Sequence, residues 1–369
     1  MTRFDNAIEL LNGADLSHLD AIIGLDGFID YIIRVVDSID SDGNDIYIPD
    51  ITSFAERIAK AAGKSTALEL DVLQVKLGGN GPIMANAMAN LGLHLTYIGS
   101  VGENTVHDLF RGLAEKCNVV PICEPAQTTA LEFSDGKLML QQLRCLDKIT
   151  YARIASKLGT ENLIHIFNEA DFVALNHWAS IPRMTQIWQE LQTKICPKMD
   201  SKPRKIFFDL ADMEKRGDAD ILEALQTIGG FNDYYRTQLG LNEGESEQVC
   251  RAMGYSSSCK DHKDKVMDRA NKIRQEFNLS CVTVHPVEFA AAADENGCVS
   301  VDGPYTAKPL ISTGAGDHFN SGFCLGRILD GDLEQSLQIA VATSGYYVRT
   351  AKSPTIDELS KFIDELKNE

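Results

Sequence analysis

Short apolar, β-branched runs alternate with longer stretches of helical periodicity from one end of the chain to the other. Such runs are what a strand buried on both faces carries, and they predict strands at Asp20–Gly24, Leu95–Gly99, Phe172–Asn176, Lys205–Asp209 and Cys281–Val284. Apolar residues three and four apart predict helices that include Pro82–Leu91, Val106–Lys116, Met184–Lys194, Asp218–Leu225, Glu245–Met253 and Lys265–Phe277. Strand and helix in alternation build βαβ units around a mostly parallel sheet. The expected fold class is therefore α/β, a three-layer α/β/α sandwich, with residues 1–369 forming one domain.

Two stretches break the alternation. Residues 28–48 mix apolar pairs with Asp and Gly, and residues 128–146 alternate about a turn at Ser134-Asp135-Gly136-Lys137. Alternating strands joined by an Asp-Gly turn make a half-exposed antiparallel sheet, which predicts a small β-sheet lid. The competing reading makes both stretches edge strands of the main sheet.

Charge and cysteine content narrow the partners. A net charge of −18, with no long run of Lys or Arg, excludes sequence-independent binding of nucleic acid. An anionic ligand must then be held locally, by backbone N–H groups, a helix N-terminus and a divalent cation. The nine cysteines are scattered and form no C-x-x-C pair, so reduced thiols in a cytoplasmic protein are expected. No apolar run approaches the roughly 20 residues that span a bilayer, and the opening residues lack the order of a signal peptide.

The most informative segment is Ser312-Thr313-Gly314-Ala315-Gly316-Asp317-His318-Phe319-Asn320, leading into the apolar helical stretch Ser321–Leu329. Small residues at Gly314, Ala315 and Gly316 let the chain turn sharply and aim successive N–H groups at one point, where the helix adds its positive end. A carboxylate inside such an anion hole, here Asp317, is placed to take the proton of a hydroxyl attacking a phosphoryl group. On local grounds a turn capped by Asp at a helix start explains the same residues.

Three further elements supply context. Gly78-Gly79-Asn80-Gly81-Pro82 precedes a small-residue helix and lets a substrate lie against the backbone. Asn242 and Glu245 sit at a helix start, where the helix dipole accounts for acidic residues and a hydrated Mg²⁺ would also find oxygen ligands. Asp26 and Asp30 follow a strand end, where ligands of open α/β sheets bind and where a carboxylate can accept from sugar hydroxyls. His177, after another strand end, reads as a structural histidine or a substrate contact and is given no catalytic role.

In this order the elements resemble the ribokinase-like (PfkB) carbohydrate kinases over nearly the whole chain. Gly78 to Gly92 is similar to that family's first signature and Ile311 to Leu329 to its second. The stretches Ile98 to Gly102 and Asn242 to Glu245, with Thr283, resemble its connecting motifs. The resemblance implies ATP with Mg²⁺ as phosphoryl donor and a sugar or sugar-like alcohol as acceptor. It implies Asp317 as base, with Gly314, Ala315 and Gly316 as the anion hole. Gly78, Gly79 and Asn80, with Asp26 or Asp30, would hold the acceptor. Asn242, Thr283, Thr313, Gly314 and Gly316 would hold the nucleotide, and Asn242 and Glu245 the metal. A homodimer joined through the lid is a further expectation.

Departures from the family pattern are Ile83 in place of a sugar-binding Asn, with Asn86 one turn away, and Ile311 in place of an Asp associated with a monovalent cation. His285 stands where a Gly is usual. They leave room for a silent sugar- or nucleotide-binding sensor, and for ADP as donor. A nicotinamide-dependent oxidoreductase fails, because Gly-x-Gly-x-x-Gly is absent.

Overall fold

The apolar runs form the middle of a nine-stranded sheet in the computed structural model, which describes residues 4–367. In chain order the strands are β1 (Asp20–Leu25), β2 (Phe28–Ile39), β3 (Asp45–Tyr47), β4 (Glu69–Gly78), β5 (His94–Gly99), β6 (Asn118–Pro121) and β7 (Ala126–Phe133). They continue with β8 (Gly136–Gln142), β9 (Phe172–Asn176), β10 (Lys205–Asp209), β11 (Arg236–Asn242), β12 (Cys281–His285), β13 (Phe289–Asp294) and β14 (Gly297–Asp302). The large sheet runs β14-β13-β12-β11-β10-β9-β1-β5-β6. Pairings from β6 to β12 are parallel, and β12, β13 and β14 pair antiparallel.

Side chains alternate between two apolar layers, as strands covered on both faces require. In β10, Ile206 and Phe208 enter a core with Trp178, Trp188 and Phe231, while Phe207 enters the opposite core with Met84, Tyr97 and Phe323. No helix among the described residues is long and apolar enough to cross a membrane.

From β1 the chain winds one way through β5 and β6, then returns to the other side of β1 at β9 and continues through β12. The order reverses between β1 and β9, and open α/β sheets bind ligands in the crevice that such a reversal opens at the strand C-termini. The helices Asn80–Asn90 and Ala315–Ile328, which carry the two glycine motifs, pack against each other over this end of the molecule.

The lid is a separate five-stranded sheet of β2, β3, β4, β7 and β8. It springs from the end of β1, since only Asp26 and Gly27 separate β1 from β2. The register sets Asp30 opposite Lys76 and Thr128 on one face. On the other face Ile33 and Val35 pack on Phe54 of the helix Ile51–Ala59, while their cross-strand neighbours Val72 and Leu70 stay exposed. The strand β4 was outside the lid stretches expected from sequence. The helix expected over Val106–Lys116 is shorter, a 3₁₀ turn at Asp108–Phe110 followed by Arg111–Ala114. Gly112 in its middle disfavours a longer one.

Candidate active site

Asp26 follows β1 and His177 follows β9, so the two side chains face each other across the reversal, with Asp26 Oδ2 2.8 Å from His177 Nδ1. The second carboxylate oxygen accepts from the Gly81 N–H at 2.9 Å. Asp26 is 0% exposed, with both oxygens engaged. Gly79 caps the helix Asn80–Asn90 at φ 99° and ψ 143°, a conformation that only glycine enters cheaply. A Cβ at Gly79 would stand 2.5 Å from Asp26 Oδ2.

Asp30 occupies a different position, on the inner face of the lid. Burial pushes its carboxyl pKa up, and the Thr128 hydrogen bond and the Lys76 charge oppose that push. It borders a cleft of about 710 Å³ between lid and body that Ile83, Asn86, Thr313 and His318 also line. The Asn86 amide is held from both sides, by Ser353 Oγ at 3.2 Å and Lys116 Nζ at 2.7 Å.

Asp209, at the end of β10, joins the two glycine motifs. Its Oδ1 accepts from the Ala211 N–H at 2.7 Å. Its Oδ2 accepts from Asn320 Nδ2 at 2.8 Å and Asn80 Nδ2 at 3.5 Å. Asn80 and the helix of Asp317 thus share one buried carboxylate. Sequence reading singled out neither Asp209 nor Asn320; the available signal was a carboxylate at the end of the expected strand Lys205–Asp209.

The helix Ala315–Ile328 begins at Gly314, in the left-handed region at φ 92°, and no side chain caps it. The Ala315 N–H donates to Ser312 O at 3.1 Å. The first-turn N–H groups of Gly316 and Asp317 have no carbonyl four residues back inside the helix to bond. Asp317 is 8% exposed beside them. His318 and Tyr347 stack, with ring centroids 3.6 Å apart. His318 Nδ1 lies 2.7 Å from Gly314 O, and the Tyr347 hydroxyl donates to Thr313 O at 3.0 Å. Burial lowers the His318 pKa to about 4, so the ring is neutral, donates from Nδ1 and accepts from Ser353 at Nε2.

A cavity of about 290 Å³ adjoins Gly316, with no acidic or basic residue in its lining beyond His285. Pro304, Tyr305, Phe319 and Val341 give it the apolar walls that a flat aromatic base would use. Thr283 is buried away from it and its hydroxyl donates to Ala291 O at 3.1 Å. His285, two residues on and at the strand end, takes the cavity-facing position, its ring 4.7 Å from that of Phe319. Burial pulls its pKa down to about 4.

Asn242 and Glu245 form a reciprocal capping box on the helix Glu243–Ala252, with Asn242 Oδ1 2.9 Å from the Glu245 N–H and Glu245 Oε2 2.8 Å from the Asn242 N–H. The box gives both residues a structural task. Burial, then the Asp209 charge, still pushes Glu245 up to about 8. Asp317 is raised well above the usual carboxylate range by burial first, then by Asp209, Asp26 and Glu245. Neighbouring carboxylates raise one another's pKa, and a cation placed among them would reverse that.

The start of the helix that carries Asp317 lies between a polar cleft, lined by Thr313 and His318, and an apolar pocket, lined by Ala315 and Gly316. That is the set of parts for moving a phosphoryl group from a nucleotide to an alcohol. The chain superposes on ribokinase from Arabidopsis thaliana, solved with ribose and ATP, at a TM-score of 0.64 and 15% identity over 94% of this chain and 99% of that one. It matches ribokinase from Thermotoga maritima at 0.63 and 16%, over 94% and 99%. Fold and site define a ribokinase-like carbohydrate kinase. A ketohexokinase from Haloferax volcanii is 28% identical over 343 residues, 92% of this chain and 90% of that protein. The sequence model of prokaryotic ketohexokinase matches residues 8–366, and the chain belongs to that family. It is an ATP-dependent carbohydrate kinase.

Proposed function

We propose that the enzyme transfers the γ-phosphoryl group of ATP to a hydroxyl of a ketohexose, with Asp317 as general base. The single observation that carries this reading is the buried Asp317 carboxyl at an uncapped helix N-terminus, tied through Asn320 and Asp209 to Asn80 of the glycine turn. The acceptor lies between the Gly78-Gly79 turn, Asn80 and Asp30, with its hydroxyl toward Asp317. The carboxylate takes the hydroxyl proton as the oxygen closes on the phosphoryl group. N–H groups of Gly314 and Gly316 face the phosphoryl oxygens, and one oriented donor of this kind commonly contributes about 3–4 kcal/mol. Ala315 shapes the turn. Gly314, Gly316, Thr313 and Asn242 line the nucleotide's path, with the base in the apolar cavity beside His285. Closure of the lid excludes water.

Mg²⁺ fits the charge of the site, since burial and mutual repulsion raise the carboxyls of Asp209, Glu245 and Asp317, and a cation would relieve that repulsion. No group of three or more His, Cys, Asp or Glu among the described residues forms a ready cage. The fit is therefore to a hydrated ion held by nucleotide phosphates, with Asn242 and Glu245 on its waters. Bound there, Mg²⁺ supplies charge neutralisation at the phosphates. The reading also includes a second copy of the chain covering the exposed apolar residues Leu70, Val72, Val75 and Leu140 of the lid. A cytoplasmic setting suits nine cysteines that are all free.

The test is a coupled assay with ATP, and separately ADP, over ketohexoses, aldohexoses, pentoses, sugar acids, cyclitols and nucleosides. The proposal expects turnover with ATP and a ketohexose well above the rest. Preference for an acceptor of another class contradicts the ketohexose assignment.

A further inference from the structure

The pair made by Asp26 and His177 has no task in the phosphoryl-transfer steps above. Asp26 meets nothing but protein, since Gly81 takes one oxygen and His177 the other. His177 is held with unusual completeness for a residue with an open edge. Its backbone is left-handed at φ 66°, its N–H donates to Asp209 O at 2.9 Å, and its ring stacks on Phe28 with centroids 5.0 Å apart and planes 12° apart. Only Nδ1 is hydrogen-bonded; among the described residues Nε2 has no partner, and 12% of the side chain is open at the C-terminal edge of the sheet.

We infer that His177 is an acceptor-reading residue, its Nε2 hydrogen-bonding one hydroxyl of the carbohydrate, and that Asp26 is the positioning residue that fixes its ring. The placement follows from topology, because Asp26 follows β1 and His177 follows β9, the two strands that border the ligand crevice. A carboxylate on Nδ1 fixes the ring's orientation and leaves Nε2 for the ligand. A sugar hydroxyl both donates and accepts, so it bonds Nε2 in either protonation state. Burial pulls the His177 pKa down, but Asp26, with Asp209 and Asp30 behind it, outweighs this and the net shift is upward. The carboxylates thus favour the form in which Nε2 donates to a hydroxyl oxygen.

This inference rests on the carbohydrate reading of the cleft but not on the acceptor's being a ketohexose. The experiment uses whichever sugar the wild-type enzyme phosphorylates best, with a series of analogues each lacking one hydroxyl. Wild-type enzyme should lose about 100-fold or more in kcat/KM on one analogue, because its partner nitrogen is left unpaired. In His177→Ala that analogue and the parent sugar should become nearly equal, with KM for ATP unchanged. His177→Gln, which restores a donor, should recover part of the discrimination, and Asp26→Asn should lose part of it. If His177→Ala is unstable, the Gln and Asn variants carry the same comparison. Discrimination that stays at the wild-type level against every analogue overturns the inference. Preference for an aldose or a cyclitol would sink only the ketohexose assignment. Failure to bind any carbohydrate, read by calorimetry, would sink both.

Discussion

Gly79→Ala perturbs the site at one known atom. The substituted residue keeps φ 99° and ψ 143° only under strain, about 1–3 kcal/mol for a non-glycine residue in such a region. Its Cβ would stand 2.5 Å from Asp26 Oδ2 and 3.2 Å from Phe28 Cδ2, so the carboxylate must retreat by roughly 1 Å to reach ordinary contact. Asp26 cannot retreat without stretching the 2.8 Å contact to His177 or the 2.9 Å bond from Gly81. Losing one bond to a charged group costs about 1.5–3 kcal/mol. Together the destabilisation is about 2.5–6 kcal/mol. A misplacement of ~1 Å at the acceptor turn should lower kcat/KM for the sugar about 100-fold. Urea denaturation and steady-state kinetics measure the two effects. Gly43→Ala is the control: it also has positive φ, at 85°, but its Cβ meets nothing within 4 Å, so only backbone strain of about 1–2 kcal/mol should appear. A folded Gly79→Ala enzyme with sugar kinetics within twofold of wild type would refute the packing argument.

Three further outcomes follow from the same geometry. Val72→Asp with Val75→Asp, on lid residues 49% and 39% exposed, should turn a dimer into a monomer in sedimentation equilibrium; a monomeric wild type contradicts the covered-lid reading. His285→Ala should raise KM for ATP about tenfold and leave KM for the sugar alone; unchanged nucleotide kinetics would remove His285 from the donor pocket. Asp209, Asp317 and Glu245 have raised folded pKa values. The folded state therefore binds extra protons, and their stabilisation, full below the usual carboxylate range, is lost as pH rises toward about 8. His285 and His318, lowered to about 4, act oppositely, and their contribution is complete above the ordinary histidine range. Melting of the ligand-free protein should accordingly fall between about pH 7 and 8; a rise there contradicts the acid-pit account.

How much of this was legible in sequence varied with physics rather than with position. β1, β9 and β10 stand out as continuous apolar runs because both faces are covered. β11 hides because Thr237 and Gln238, both buried, interrupt its apolar run. Asp317 and Gly314 were readable because a helix start with small residues and a carboxylate is a local pattern. Asp209 was not, and His177 only as a structural histidine or a substrate contact, since their meaning depends on which strands neighbour β1, and no local spacing states that. The two acids left open as acceptor contacts separate only in three dimensions, with Asp26 sealed beneath the glycine turn and Asp30 on the lid. Thr283 and His285 show the same limit: the pairing of β12 with β13 turns the hydroxyl toward Ala291 and leaves the imidazole at the pocket.

The central claim is that one carboxylate removes the proton from the attacking hydroxyl. It is tested most directly by single-turnover phosphoryl transfer in Asp317→Asn, with ATP and sugar affinities measured on the same preparation. The account predicts affinities within a few-fold of wild type and a transfer rate lower by about 100- to 10,000-fold. A transfer step as fast as that of the wild type would contradict it.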